Sequence, residues 1–151
     1  SQEGNGTLFS ILLPVSNTAR SEEYKSQGIK KGKGRILFVD DEEVIRTTME
    51  EILNYYGYTV FLAKNGKEAF DFFVKNRQEL DLVIMDMVMP IMDGKEAFTK
   101  IREVDKEMEV IITSGYTEEK KLEEMKEIGN FTFIRKLFKN DELSHIIAQK
   151  L

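Results

Sequence analysis

A chain of 151 residues has room for one domain with a sizeable core and a few short extras, and 41% hydrophobic with 32% charged residues is a globular composition. The net charge of −5 and a pI near 5.1 exclude the basic face that a nucleic-acid binder needs. With no cysteine there is no disulfide, thiolate zinc site or cysteine nucleophile, and no apolar run reaches the length of a membrane span.

In chain order, the first candidate element is the apolar run Leu8-Phe9-Ser10-Ile11-Leu12-Leu13, which follows a Gly6-Thr7 turn and reads as a strand. Glu3 precedes it and no basic residue does, so it is not a secretory h-region, and a cytoplasmic location is expected. The chain starts at Ser1 without an initiator methionine, which reads as a piece of something longer. Residues 17–34 are polar and glycine-containing, a composition that cannot nucleate a core, and are read as a linker in which Lys30, Lys31, Lys33 and the adjoining Arg35 solvate the tether. Gly32-Lys33-Gly34 lacks the spacing and the following helix of a phosphate-binding loop.

From Arg35 onward short apolar runs alternate with segments of helical period, which predicts an α/β fold with a parallel sheet covered by helices on both faces. Strands are expected near 35–40, 58–63, 81–86, 108–113 and 131–135, and their nearly continuous apolar runs, such as Val110-Ile111-Ile112, fit strands buried on both faces. The spacing predicts helices over 42–56, 66–76, 94–104, 117–128 and 139–150. Ile45, Met49, Ile52 and Tyr56 stripe the first, Ala69, Phe70 and Phe73 the second, Ala97, Phe98 and Ile101 the third, and Leu122, Met125 and Ile128 the fourth. Gly57, Asn65-Gly66, Asp93-Gly94 and Gly129-Asn130 punctuate the joins. The single histidine, His145, sits in the amphipathic last segment and is read as an ordinary surface or half-buried side chain.

The ends of those strands carry the chemistry. Asp40 and Asp41 close the first strand and Asp86 the third, Thr113 ends the fourth, and Lys136 ends the fifth. In an open parallel sheet the carboxyl ends form the ligand crevice. Clustered carboxylates there would repel one another and favour a hard divalent cation with oxygen ligands such as Mg2+. A carboxylate beside such a cation can act as a nucleophile toward a phosphoryl group, and Asp86 is the candidate, with Asp40 and Asp41 as metal holders and Thr113 and Lys136 to receive phosphoryl oxygens.

Val39-Asp40-Asp41-Glu42, the run Asp86-Met87-Val88-Met89-Pro90-Ile91-Met92-Asp93-Gly94, Thr113-Ser114-Gly115 and Lys136-Leu137-Phe138 together resemble the receiver domain of the two-component response regulators, over residues 35–151. The resemblance implies a flavodoxin-like, doubly wound five-stranded sheet of order 2-1-3-4-5. It also implies Asp86 as phosphoacceptor, and Mg2+ held by Asp40, Asp41, Asp86 and the backbone carbonyl of Val88. Thr113 and Lys136 would contact the phosphoryl group, Phe133 would occupy the switch position, and the fourth helix, fifth strand and fifth helix would form the output face. The family usually has proline after the lysine in a cis peptide. Leu137 stands there instead, and since a cis bond before a non-proline residue costs about 2.5–4 kcal/mol, a trans bond is expected.

Residues 4–14, in the first 16, resemble the last glycine box and final strand of a sensor histidine kinase ATP-binding domain. The order of kinase remnant (1–16), linker (17–34) and receiver (35–151) resembles that of hybrid histidine kinases. The implied function is Mg2+-dependent phosphorelay from a phosphohistidine-bearing kinase or phosphotransfer domain onto Asp86, in a parent that is a kinase although this piece lacks the complete kinase domain. The orphan strand Leu8–Leu13 would seek a sheet edge, in this molecule or in a homodimer. A stand-alone response regulator, an aspartyl-phosphate phosphohydrolase and a never-phosphorylated interaction module remain as alternatives. The adjacency of Asp40 and Asp41 and the lack of a cap insertion weigh against the hydrolase.

Overall fold

Residues 28–115 and 119–151 are described by the computed structural model. Five strands, β1 (Arg35–Val39), β2 (Thr59–Ala63), β3 (Leu82–Asp86), β4 (Glu109–Ser114) and β5 (Thr132–Arg135), form one parallel sheet in the order β2-β1-β3-β4-β5. Between and after them run α1 (Glu43–Tyr55), α2 (Gly66–Asn76), α3 (Gly94–Val104), α4 (Glu119–Ile128) and α5 (Asn140–Lys150), with a short 3-10 turn at Arg77–Glu79. This is the flavodoxin-like architecture expected from the sequence. The proposed strand at Leu8–Leu13, the kinase-like remnant and the start of the predicted fourth helix at residue 117 lie outside the described residues.

The continuous apolar strands are explained by the two cores they serve. Side chains alternate across a strand, so Leu37, Val39, Val83, Met85, Val110 and Ile112 meet α2, α3 and α4 through Phe73, Phe98, Ile101 and Met125. Ile36, Phe38, Leu82, Ile84 and Ile111 meet α1 and α5 on the other face through Met49, Leu53, Tyr56, Leu143 and Ile147. β3 is buried at every position, which places Asp86 at the end of the most protected strand in the molecule.

Helix starts follow the sequence signals. Asn65 and Asp93 cap α2 and α3, their side chains accepting from the amides of Glu68 and Glu96 at 2.9 Å each. Gly94 is required by packing: a Cβ there would press on the Asp86 carbonyl and lie 2.9 Å from the Met87 Cα. Gly57 ends the first helix at φ +98°, a backbone region that glycine enters without strain. α4 is the least embedded helix: Met125 is fully buried, but Ile128 is 36% exposed. Charge ties α4 to α3, through the ion pair Lys95–Glu124 and through Lys121 at 3.7 Å from Asp93.

The polar segment before β1 lies on the body of the fold in its described part. The Lys30 amide donates to the Ser144 hydroxyl on α5 at 3.3 Å, and the Gly32 amide donates to the Tyr56 carbonyl at 3.0 Å. The Thr59 amide donates to the Gly34 carbonyl at 2.8 Å, and the Lys31 ammonium sits 4.4 Å from the Tyr55 ring centre. Arg35 does not solvate a tether, as its neighbourhood suggested. Its backbone amide and guanidinium bond both oxygens of Asp81, at 2.8 to 3.3 Å. The reason is topological, since β1 and β3 are neighbours and Arg35 and Asp81 both lie at the start of their strands.

Candidate functional site: an acidic crevice holding one ammonium

The register assembles the site. Val39 pairs with Met85 and Asp86 with Thr113, so Asp40, Asp86 and Thr113 occupy neighbouring strand ends, with Ser114 opposite Arg135 just before Lys136. Asp40 is 1% exposed and Asp86 is 8% exposed, and both carboxylates contact one cation: Lys136 Nζ is 2.8 Å from Asp40 Oδ2 and 3.1 Å from Asp86 Oδ1. The Lys136 amide donates to the Ser114 carbonyl at 2.9 Å, which fixes where the side chain starts.

Burial pushes the Asp86 carboxyl above its ordinary value, and the charge of Asp40 adds to the rise; Lys136 opposes it by charge and hydrogen bond without cancelling it. For Lys136 burial pulls the other way, but the hydrogen bond to Asp40 and the charges of Asp86 and Asp40 prevail and the ammonium is held above the lysine range.

Not every predicted residue is drawn equally close. Asp41 is exposed at the lip, and among the described residues no three acidic or histidine side chains form a closed metal cage. Lys136 is seated between Asp40 and Asp86, which relieves their repulsion. Thr113 is buried, and its hydroxyl donates to the Met85 carbonyl at 3.4 Å. Val88 is 54% exposed in the loop after β3, and Phe133 is half-buried in β5 against the core that includes Met125 of α4. The loop from β3 to α3 closes on itself, with Met92 N donating to Pro90 O at 2.8 Å around Ile91 at φ +71°.

The bond between Lys136 and Leu137 is cis, not trans as expected. The expectation weighed only the local preference of one amide, which is a weaker guide than the tertiary setting; Leu137 itself is fully exposed, while Lys136 reaches the two carboxylates.

Sequence reasoning passed over Arg46. One turn into α1, its Nη1 donates to the Asp40 carbonyl at 2.8 Å and the Asp41 carbonyl at 2.9 Å. The available signal was a cation five residues beyond an acidic pair, on the helix that pair introduces.

The donor set suits Mg2+. Two buried carboxylates already share one cation, all the oxygens are hard ligands, and the crevice opens to water, of which Mg2+ keeps several molecules in its shell.

Fold and crevice together define a signalling domain, and comparison with known proteins agrees. Residues 36–148 match the response regulator receiver domain family, and the chain belongs to that family. It is 38% identical over 117 residues to sporulation initiation phosphotransferase F of Bacillus subtilis, covering 78% of this chain and 93% of that protein. It is 30% identical to the sensor kinase CckA of Brucella abortus over all of this chain, which spans 17% of that kinase. Among solved structures it is similar to the response regulator TrrA of Thermotoga maritima, determined with Mg2+ and BeF, at TM-score 0.70 and 33% identity, covering 78% of this chain and 99% of that one.

Proposed function

We propose that this receiver accepts a phosphoryl group on Asp86 from the phosphohistidine of a kinase or phosphotransfer domain, as part of a hybrid histidine kinase. The observation that carries the reading is the buried Asp86 carboxylate with its Lys136 counter-ion at 3.1 Å, at the end of the central strand. An Asp86 oxygen attacks phosphorus, the P–N bond breaks, and its electron pair returns to the donor imidazole, leaving an acyl phosphate on Asp86. The nucleophile must be ionised, and Lys136 works toward that state against burial. The ammonium then faces the new phosphoryl oxygens, where charge-assisted hydrogen bonds are strongest.

Asp40, Asp41, Asp86 and the Val88 carbonyl are the groups that would hold Mg2+. When bound, the ion screens the approach of two anions. Thr113, beside Asp86 in the register, supplies a hydroxyl for the phosphoryl group. Its shift would let the half-buried Phe133 move beneath α4, toward the output face of α4, β5 and α5.

The hybrid context rests on the extent of similarity. The match to the sensor kinase runs through the whole chain, including the residues before β1, whereas the match to the phosphotransferase covers 117 residues. Reading the coding sequence upstream of residue 1 discriminates: an open frame encoding a kinase core supports the hybrid, and a start codon nearby supports a stand-alone regulator.

The test of the chemistry is labelling by acetyl phosphate with Mg2+, followed by intact mass and repeated on Asp86→Ala. A gain of one phosphoryl group that disappears in the variant is the expected result. Continuous phosphate release from added esters would point to a hydrolase, and no labelling by acetyl phosphate or a phosphohistidine donor would remove the reading.

A further inference from the structure

Arg46 is placed where a helix does not want a cation. It lies in the opening of α1, where the exposed amides leave the positive end of the helix dipole and acidic residues are favoured. Glu42, at the N-cap of the same helix, makes no side-chain cap bond. What fixes the turn from β1 into α1 is three hydrogen bonds of another kind. The Glu42 amide donates to Asp40 Oδ1 at 3.0 Å, and Arg46 Nη1 bridges the carbonyls of Asp40 and Asp41 at 2.8 and 2.9 Å.

The two acids depend on this turn to different degrees. The Asp40 side chain is buried and pinned by Lys136 and by the Glu42 amide. Asp41 is exposed, so the position of its backbone decides where its carboxylate can reach, and that backbone ends in the carbonyl Arg46 holds.

We propose that Arg46 is a positioning residue for the cation site: by clamping the consecutive carbonyls of Asp40 and Asp41 it pre-sets the direction of their carboxylates toward a divalent ion. This rests on the reading that the crevice binds Mg2+. It assigns the crevice a supporting cation that touches neither metal nor phosphoryl group, and it makes a prediction whose sign differs from that of simple electrostatics. Removing a positive charge from the neighbourhood of a cation site strengthens cation binding by Coulomb's law. Removing a clamp from its ligands weakens it, and groups that orient metal ligands are typically worth about 10-fold to 100-fold in affinity.

The experiment titrates the full chain with Mg2+ by calorimetry, below the melting point of every variant as measured in chelator. Arg46→Met is expected to weaken Mg2+ binding about 10-fold. Arg46→Lys, which keeps the charge and can still donate to both carbonyls, should recover most of that loss. In labelling by acetyl phosphate, Arg46→Met should raise the Mg2+ concentration for half-maximal rate and leave the rate at saturating Mg2+ near wild type. Unchanged or tighter Mg2+ binding in Arg46→Met overturns the proposal, as does an Arg46→Lys variant no better than Arg46→Met. A wild-type chain that binds no Mg2+ would instead sink the functional reading on which the proposal stands, so the two failures are distinguishable.

Discussion

Replacing Lys136 by methionine leaves Asp40 and Asp86, at 1% and 8% exposure, facing each other without their shared cation. Breaking a buried pair by removing one partner costs about 3–5 kcal/mol. The lysine side chain is 24% exposed, so water can enter and the low end, about 3 kcal/mol, applies. For a domain of this size that is a fall in melting temperature of roughly 10 °C. The cost must depend on pH. Burial holds the folded Asp86 pKa above its ordinary 3.8, so Asp86 costs the fold nothing below 3.8, a growing amount as pH rises from there to the raised value, and a constant amount above it. Lys136 offsets that cost, and because its own pKa is raised, its contribution is complete below the ordinary 10.5, declines above it and is lost as pH passes through the raised folded value. Urea unfolding of wild type and Lys136→Met in chelator should show the full deficit near neutral pH and a much smaller one as pH falls through the raised Asp86 value toward 3.8, by which point folded Asp86 has taken up its proton. Millimolar Mg2+ at neutral pH should restore part of the loss. A deficit that is equal at both pH values, or below about 0.5 kcal/mol, would refute the charge argument, because that is the size of an unremarkable surface substitution.

Three further outcomes are expected. Asp86→Asn removes a charge that its surroundings disfavour, so in chelator it should melt a few degrees higher than wild type while losing all acetyl phosphate labelling; a lower melting point would contradict the direction of the Asp86 shift. Gly94→Ala drives a methyl group against the Asp86 carbonyl and the Met87 Cα, which should cost about 1–3 kcal/mol and slow labelling, both read against wild type by urea unfolding and a labelling time course. Compared with a chain that lacks residues 1–27, one that lacks 1–34 loses three hydrogen bonds to Tyr56, Thr59 and Ser144, at about 1 kcal/mol each; equal denaturation midpoints for the two truncations would show that residues 28–34 contribute nothing.

The sheet was legible because its strands are buried on both faces, which turns each into a compact apolar run such as Ile36-Leu37-Phe38-Val39. The crevice was legible because parallel strands deliver their carboxyl ends to one edge, so Asp40, Asp86, Thr113 and Lys136 needed only the strand assignments to be brought together. What escaped acts through the backbone. Arg46 bonds carbonyls, which every residue carries, so the one hint in the side chains is its spacing five residues beyond the acidic pair. The strap at residues 30–34 looked like solvated linker because composition reports side chains, while its attachment runs through the amides of Lys30 and Gly32 and the carbonyl of Gly34. Arg35 escaped for a different reason: its partner Asp81 lies beyond α1, β2, α2 and the 3-10 turn, and only the β1–β3 pairing makes them neighbours.

Charge balance links these pieces to the proposed switch. Three carboxylates and one ammonium leave the crevice with two net negative charges, the deficit one divalent cation would fill. Under the proposed phosphorylation of Asp86, a single carboxylate charge would give way to about −1.5 to −2 on the phosphoryl group, and the same lysine would face a larger anion. Lys136 cannot satisfy Asp40 and a displaced, more highly charged group at 2.8 and 3.1 Å as it does two bare carboxylates. The shortfall has to be met by donors that come to the phosphoryl group, and Thr113, now bonded only weakly to the Met85 carbonyl at 3.4 Å, is the neighbour with least to lose by moving. α4, whose Ile128 is 36% exposed and which Lys95–Glu124 and Lys121–Asp93 tie to α3, is the element best able to follow.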